Sequence, residues 1–172
     1  MRKLIGAAMI ILASVGIGYS KSRELTLREK NLEEFLQAVL YLKGEIRCGN
    51  SGLSDAFRNT AARCGENYAD FFRGAADCMD TNTEESLHLI VEKCAEQYLP
   101  KLSLEEGEKN RIRMLGKRLG YLDREMQLRQ LELYEEDFQH FLETLRKDKA
   151  EKKKLYRSLG TMGGIMLAVL FW

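Results

Sequence analysis

Few side chains in this sequence have both the type and the spacing for chemistry. Cys48, Cys64, Cys78 and Cys94 follow one another at intervals of 14 to 16 residues, with no CxxC or CxH pair among them. Zinc is usually held by ligands paired on one turn, so no metal site is expected. Their even spacing reads as similar positions on successive short helices, where a free cysteine packs as a small apolar side chain. Disulfides remain possible if this stretch faces an oxidising space. Two histidines, His88 and His140, are too little material for a histidine-based metal or triad site. His140 shares a helix with Asp137 but has no nucleophile nearby in sequence, and His88 reads as a surface or boundary residue. The acidic run 132–137 reads as a solvated helix face rather than a pair of acid/base carboxylates. Residues 115–120, LGKRLG, lack the amide cradle and terminal Ser or Thr of a phosphate loop, and neither HExxH nor GxSxG occurs. The expectation is a non-enzymatic protein with no cofactor and no catalytic residues.

What must position these residues follows from the distribution of charge. The 172 residues carry 27 Lys+Arg and 26 Asp+Glu, so no global field points to nucleic acid. Residues 1–20 hold Arg2 and Lys3 and no acid, and 155–172 hold only Arg157, which leaves a net charge of −2 in 21–154. Apolar ends thus flank a polar middle. Residues 4–20, LIGAAMIILASVGIGYS, would make about 26 Å of helix, near the span of a hydrocarbon core of roughly 30 Å. Residues 158–172 become long enough if Leu155 and Tyr156 join them, Arg157 snorkels and Trp172 sits at the far interface. Both ends are expected to be transmembrane helices, 1–20 and 155–172. The alternative for the first is a cleaved signal peptide, which would make the rest an exported or surface-anchored helical binding module.

Basic residues beside the two segments decide the side. The central flank carries Lys21, Arg23, Arg28 and Lys30 at one end, and Arg146, Lys147, Lys149, Lys152, Lys153, Lys154 and Arg157 at the other. Loops rich in Lys and Arg stay cytoplasmic, and such clusters suit an anionic inner leaflet. An RNA-binding reading is weaker, because no aromatic platform accompanies them. Ser14 with Gly18, and Gly160 with Gly164, are small residues at spacing four, which lets helix backbones approach closely in lipid. They could pair with each other, with other membrane proteins, or with a second copy in a homo-oligomer.

Apolar residues of the middle recur at helical spacing almost throughout. Leu32, Phe35, Leu36, Val39, Leu42 and Ile46 form one stripe on a helix over 25–47. Ser51 is an N-cap candidate for a short helix over 53–63, with Gly65 placed for a left-handed end. A second short helix covers 68–79. Residues 81–84 and 103–106 read as capping boxes for helices over 84–99, stopped by Pro100, and on to about 119. The last helix starts near Asp123 and has Leu128, Leu131, Phe138, Leu142 and Leu145 on its apolar face. It can run unbroken through the Lys-rich stretch into the second apolar end. The fold class is all-α: a six-helix antiparallel bundle over 21–154, two helices short and four longer, flanked by the two membrane helices.

The densest stretch is 114–127. Gly116 thins a helix face for close approach, Gly120 suits the position past the helix end, Asp123 suits an N-cap and Glu125 suits the positive end of the next helix. A helix–turn–helix corner explains much of this. It leaves Arg118, Arg124, Glu125 and Gln127 clustered around the corner as a polar docking surface. The candidate partner-binding residues are therefore Gly116, Arg118, Gly120, Asp123, Arg124, Glu125 and Gln127.

The opening Lys3-Leu4-Ile5-Gly6, the first helix ending in Glu45-Ile46, the run Leu119-Gly120-Tyr121-Leu122-Asp123-Arg124-Glu125-Met126-Gln127 and the closing Leu159-Gly160-Thr161-Met162-Gly163-Gly164 carry a resemblance. Over nearly its whole length the chain resembles the stage III sporulation protein AB family of endospore-forming bacteria. The Leu-Gly-x-x-Asp-Arg-Glu-x-Gln run is the most specific part. Gly52 stands where the family pattern leads one to expect proline, and the four cysteines are not a family feature. The resemblance implies a subunit of the channel complex between mother cell and forespore, in the mother-cell membrane around the forespore, with its central domain in the cytoplasm. It implies a soluble domain similar to that of type II secretion platform proteins. The implied partners are a secretion-type ATPase like stage III sporulation protein AA and other membrane subunits of the stage III A complex.

Overall fold

The computed structural model describes residues 2–48, 52–81, 85–120 and 123–170. Within its long helices, the side chains of 2–19, 21–22, 152–157 and 159–170 fall outside that description. The described residues form six α-helices and one 3-10 turn, with no strand. They are α1 (Arg2–Cys48), α2 (Leu53–Arg63), α3 (Glu66–Thr81), α4 (Leu87–Tyr98), α5 (Glu106–Arg118) and α6 (Arg124–Leu170), with the 3-10 turn Leu99–Lys101 following α4. The chain divides into two compact units, one of residues 28–142 and one of residues 1–27 with 143–172.

The first unit is the bundle, and its core lies where the helical periodicity places it. All six residues of the α1 stripe, Leu32 to Ile46, are buried. Phe35 sits among four rings, with centroids 5.2 Å from Tyr68, 5.4 Å from Phe138, 6.3 Å from Phe72 and 6.5 Å from Phe71. Each such pair adds about 0.5–1.5 kcal/mol to the burial of the rings themselves, so this cluster joins α1, α3 and α6. Helices α2 to α5 pack in sequence, α2 on α3, α3 on α4 and α4 on α5. Connections of two to seven residues make consecutive helices antiparallel neighbours.

Several local expectations change. The two longest helices, α1 and α6, have 47 residues each, while α4 and α5, with 12 and 13, are as short as α2 with 11. Nothing breaks α1 between the apolar start and the bundle stripe, because the sole proline is Pro100 and residues 21–31 contain neither proline nor glycine. Helix α4 begins at Leu87 rather than 84. Thr81 still belongs to α3, and the extended Ser86 offers its carbonyl to the amides of Leu89 and Ile90. Helix α5 starts at Glu106, not beside Ser103. The Leu104 amide closes a tight turn onto the Leu102 carbonyl, and the Glu108 carboxylate reaches back to the Glu105 amide at 2.6 Å. Ser51 lies outside the described residues, and Gly52 takes the N-cap position of α2. No described glycine has a positive φ. Gly65 is used instead to open α3, its carbonyl accepting from Tyr68 and Ala69.

Among the described residues no helix is long and apolar enough to cross a membrane. The expected spans cover 1–20 and 155–172. Apart from Ser20 and Ser158, their side chains, including those at Ser14, Gly18, Gly160 and Gly164, lie outside the described residues, although the backbone of 2–20 and 155–170 is helical within α1 and α6. One residue of the expected basic flank changes role. Arg28 is buried in the bundle and paired with carboxylates, so it cannot face lipid headgroups.

Candidate docking surface

The corner between α5 and α6 is built from backbone ends. Leu119 ends α5 with its amide on the Leu115 carbonyl, and its side chain is buried. Asp123 caps α6: its Oδ2 accepts from the Met126 amide at 3.1 Å, and its carbonyl accepts from the Gln127 amide at 3.0 Å. An N-cap aspartate satisfies one of the four orphan amides of a helix start, so this reading of Asp123 holds.

Gly116 is where α4 reaches α5. A Cβ at Gly116 would stand 2.8 Å from the Val91 Cβ and 3.1 Å from the His88 Cα. The expected close helix approach is therefore internal, to α4. Arg124 reaches across to the last turn of α1. Its Nε donates to the Ile46 carbonyl at 2.8 Å, and its Nη2 donates to the Arg47 carbonyl. A cation on the orphan carbonyls of a helix end satisfies them and suits the negative pole of the dipole. Arg118 donates to Gln130 at 3.0 Å and pairs with Asp137 at 3.4 Å. The Gln127 amide lies 3.5 Å from the Leu119 carbonyl.

Most of the predicted docking cluster thus has intramolecular work. Exposed at the corner besides Arg124 are Lys117, Gly120, Asp123, Glu125 and Met126. Beside them opens a cleft of about 550 Å³ between Ile46, Leu53, Leu87, His88, Gly116 and Gln127. The His88 Nδ1 is buried without a hydrogen-bond partner, and its Nε2 lies 3.7 Å from Glu92. His88 is a boundary residue, as its position in the sequence suggests.

Sequence reasoning missed the charged anchor at the other side of α5. Arg28 Nη2 and Nε contact Glu108 Oε1 at 2.6 and 3.2 Å, and Nη1 contacts Glu105 at 2.5 Å. Burial opposes the guanidinium charge, but the Glu108 and Glu105 carboxylates outweigh it and raise the Arg28 pKa above its ordinary value. Nothing local signals this pair, since its members are 80 residues apart. Among the described residues no group of three or more His, Cys, Asp or Glu is placed to hold a metal ion, and all four cysteines are free thiols.

Comparison with known proteins sets this bundle in context. A family model described as stage III sporulation protein AB matches residues 3–172. The chain belongs to the stage III sporulation protein AB family. The family's representative in Bacillus subtilis (strain 168), also described as stage III sporulation protein AB, is 25% identical over 170 residues, covering 99% of each chain. A solved structure of a stage III sporulation protein AB matches 76% of this chain and 97% of its own, with a TM-score of 0.59 at 21% identity. That likeness supports the fold alone.

Proposed function

We propose that this chain is a non-enzymatic platform subunit of the channel complex between mother cell and forespore, needed for endospore formation. Both ends are fastened in the mother-cell membrane around the forespore, and the bundle faces the mother-cell cytoplasm. There it docks a secretion-type ATPase like stage III sporulation protein AA, beside other stage III A membrane subunits. Family membership supports the setting. The observation that carries the reading is the double use of α1 and α6. The helices that supply Leu32, Phe35, Leu131 and Phe138 to the bundle core also contain the uncharged stretches 4–20 and 158–170. Burying each stretch in hydrocarbon would tether the bundle through its own core helices.

The exposed part of the corner is the docking face. Glu125 is the residue to reverse, because Arg124 also holds the end of α1. In full-length protein, Glu125→Lys is expected to lower recovery of the co-expressed ATPase severalfold, with the protein still folded and the melting temperature lowered only by the small cost of a cation at the start of α6. Equal recovery from both proteins refutes the docking face. For topology, Cys48 is an exposed native thiol. A membrane-impermeant maleimide should label it only after lysis. Labelling in intact cells, or a mature chain starting near Lys21, would favour the exported binding module.

A further inference from the structure

The evenly spaced cysteines do not all occupy equivalent places. Helices α3 and α4 are joined by five residues and pack antiparallel. Their register is marked by Gly74, where a Cβ would stand 2.9 Å from the Tyr98 ring. Without a side chain at Gly74, the Tyr98 ring of α4 lies directly over the α3 backbone there. One turn on from Gly74 is Cys78, and one turn back from Tyr98 is Cys94, so the same register sets Cys78 opposite Cys94. The two thiols are near enough to interact, and Tyr98 senses both. Cys78 is half-buried and reachable from solvent, whereas Cys94 is buried. Burial, with Cys78 beside it, pushes the Cys94 thiol up to about 12. Cys94 is therefore the slower of the two to meet an oxidant in solution.

We propose that Cys78 and Cys94 form a two-thiol oxidation site, in which a peroxide oxidises Cys78 and Cys94 closes the product to a disulfide that clamps α3 to α4. The Cys78 thiolate attacks one peroxide oxygen, the O–O bond breaks, and Cys78 sulfenic acid and hydroxide form. The Cys94 sulfur then attacks the Cys78 sulfur. The S–O bond breaks, the thiol proton leaves with the hydroxyl as water, and the S–S bond forms. Each disulfide consumes one peroxide and yields two waters. Cys48 and Cys64 take no part. Cys48 is exposed at the end of α1, and the Cys64 thiol lies on the Ala61 carbonyl at the end of α2. The pair needs no membrane or partner, so it stands or falls apart from the docking reading.

The test uses the full-length chain in membranes, treated with hydrogen peroxide, quenched with N-ethylmaleimide, and digested with trypsin without reduction. Cleavage after Arg73, Lys93 and Lys101 puts Cys78 in the peptide 74–93 and Cys94 in 94–101. The expected product is these two peptides joined and two hydrogens lighter than their sum, with Cys64 still carrying maleimide. In Cys94→Ser, and in Cys94→Ala as a second variant of the same buried position, dimedone capture at Cys78 should rise severalfold over wild type. Helical circular dichroism confirms that each variant is folded. Two outcomes overturn the site: recovery of Cys78 and Cys94 as separate maleimide adducts once Cys48 has been oxidised, or equal dimedone capture at Cys78 in wild type and in a folded variant.

Discussion

Two arginines tie α1 to the second half of the bundle, and they do so by opposite means. Arg28 is buried and meets the Glu108 carboxylate, itself buried, with Glu105 at the rim. Arg124 lies at the surface and, among the described residues, donates to the terminal carbonyls of α1 rather than to a carboxylate. A buried charge needs a charged partner, because desolvation costs several kcal/mol per ion. A charge left in water can serve a helix end with partial dipoles alone. The lesson is that the docking corner is held by weak, separable contacts, while the anchor at the start of α5 is held by a pair that cannot lose one member.

The widest gap between the two regions should appear on removing one partner of the anchor. Glu108→Ala leaves the buried Arg28 guanidinium with only the exposed Glu105 carboxylate, and should cost up to about 3–5 kcal/mol in urea melts of the full chain in detergent. The double replacement Arg28→Met with Glu108→Leu should recover most of that loss. If Glu108→Ala alone is nearly neutral, the anchor is no more than a surface pair.

At the corner the largest effect should come from volume, not charge. Gly116→Ala gains up to about 1 kcal/mol of helix propensity. It also places a methyl within 3.1 Å of the α4 backbone at His88. Overpacking of this kind costs about 1–3 kcal/mol, so the clash should win and the melting temperature should fall. A stabilised Gly116→Ala protein would mean that α4 yields freely. Arg124→Ala comes next, with an expected loss of about 1 kcal/mol from the uncapped end of α1. Faster amide exchange should appear in the last turn of α1 and nowhere in the Phe35 cluster.

The smallest effect belongs to exposed pairs that take part in neither contact. A hydrogen bond from Arg58 holds Asp80 below the usual carboxylate range, and one from Arg113 does the same for Glu106. A carboxylate depressed in the folded state adds stability above its unfolded pKa of about 4 and loses it as pH falls through the lower folded value. The melting temperature should therefore decline gently below about pH 4, and Asp80→Asn should flatten part of that decline. A decline of unchanged slope in Asp80→Asn would remove the pair from the account.

How far the sequence could be read depended on the range of the interactions. The Phe35 stripe, the helix ends near Arg63 and Tyr98, the stop at Pro100 and the cap at Asp123 are set within one or two turns. Periodicity, proline and a short acid suffice for them. The same local reasoning misassigned Ser103 and Thr81, where several residues could cap and packing chose among them. At the docking corner it picked out the corner but not the intramolecular contacts that most of its residues make. Arg118, Arg124 and Gln127 read as a free polar surface in sequence because their partners lie on other turns and other helices, whereas the close approach expected at Gly116 is the one α4 makes.

By itself, the order of residues determined an all-α chain with apolar ends, its core stripe, and its place in the stage III sporulation protein AB family. These depend on side-chain spacing along single helices, which is a local quantity. Tertiary structure alone decided that Arg28 is an internal ion pair, that Arg124 caps α1, and that Cys78 faces Cys94 while Cys48 and Cys64 do not. Each of those depends on the register between separate helices, and register is set by the joint packing of all their faces, which no single segment encodes.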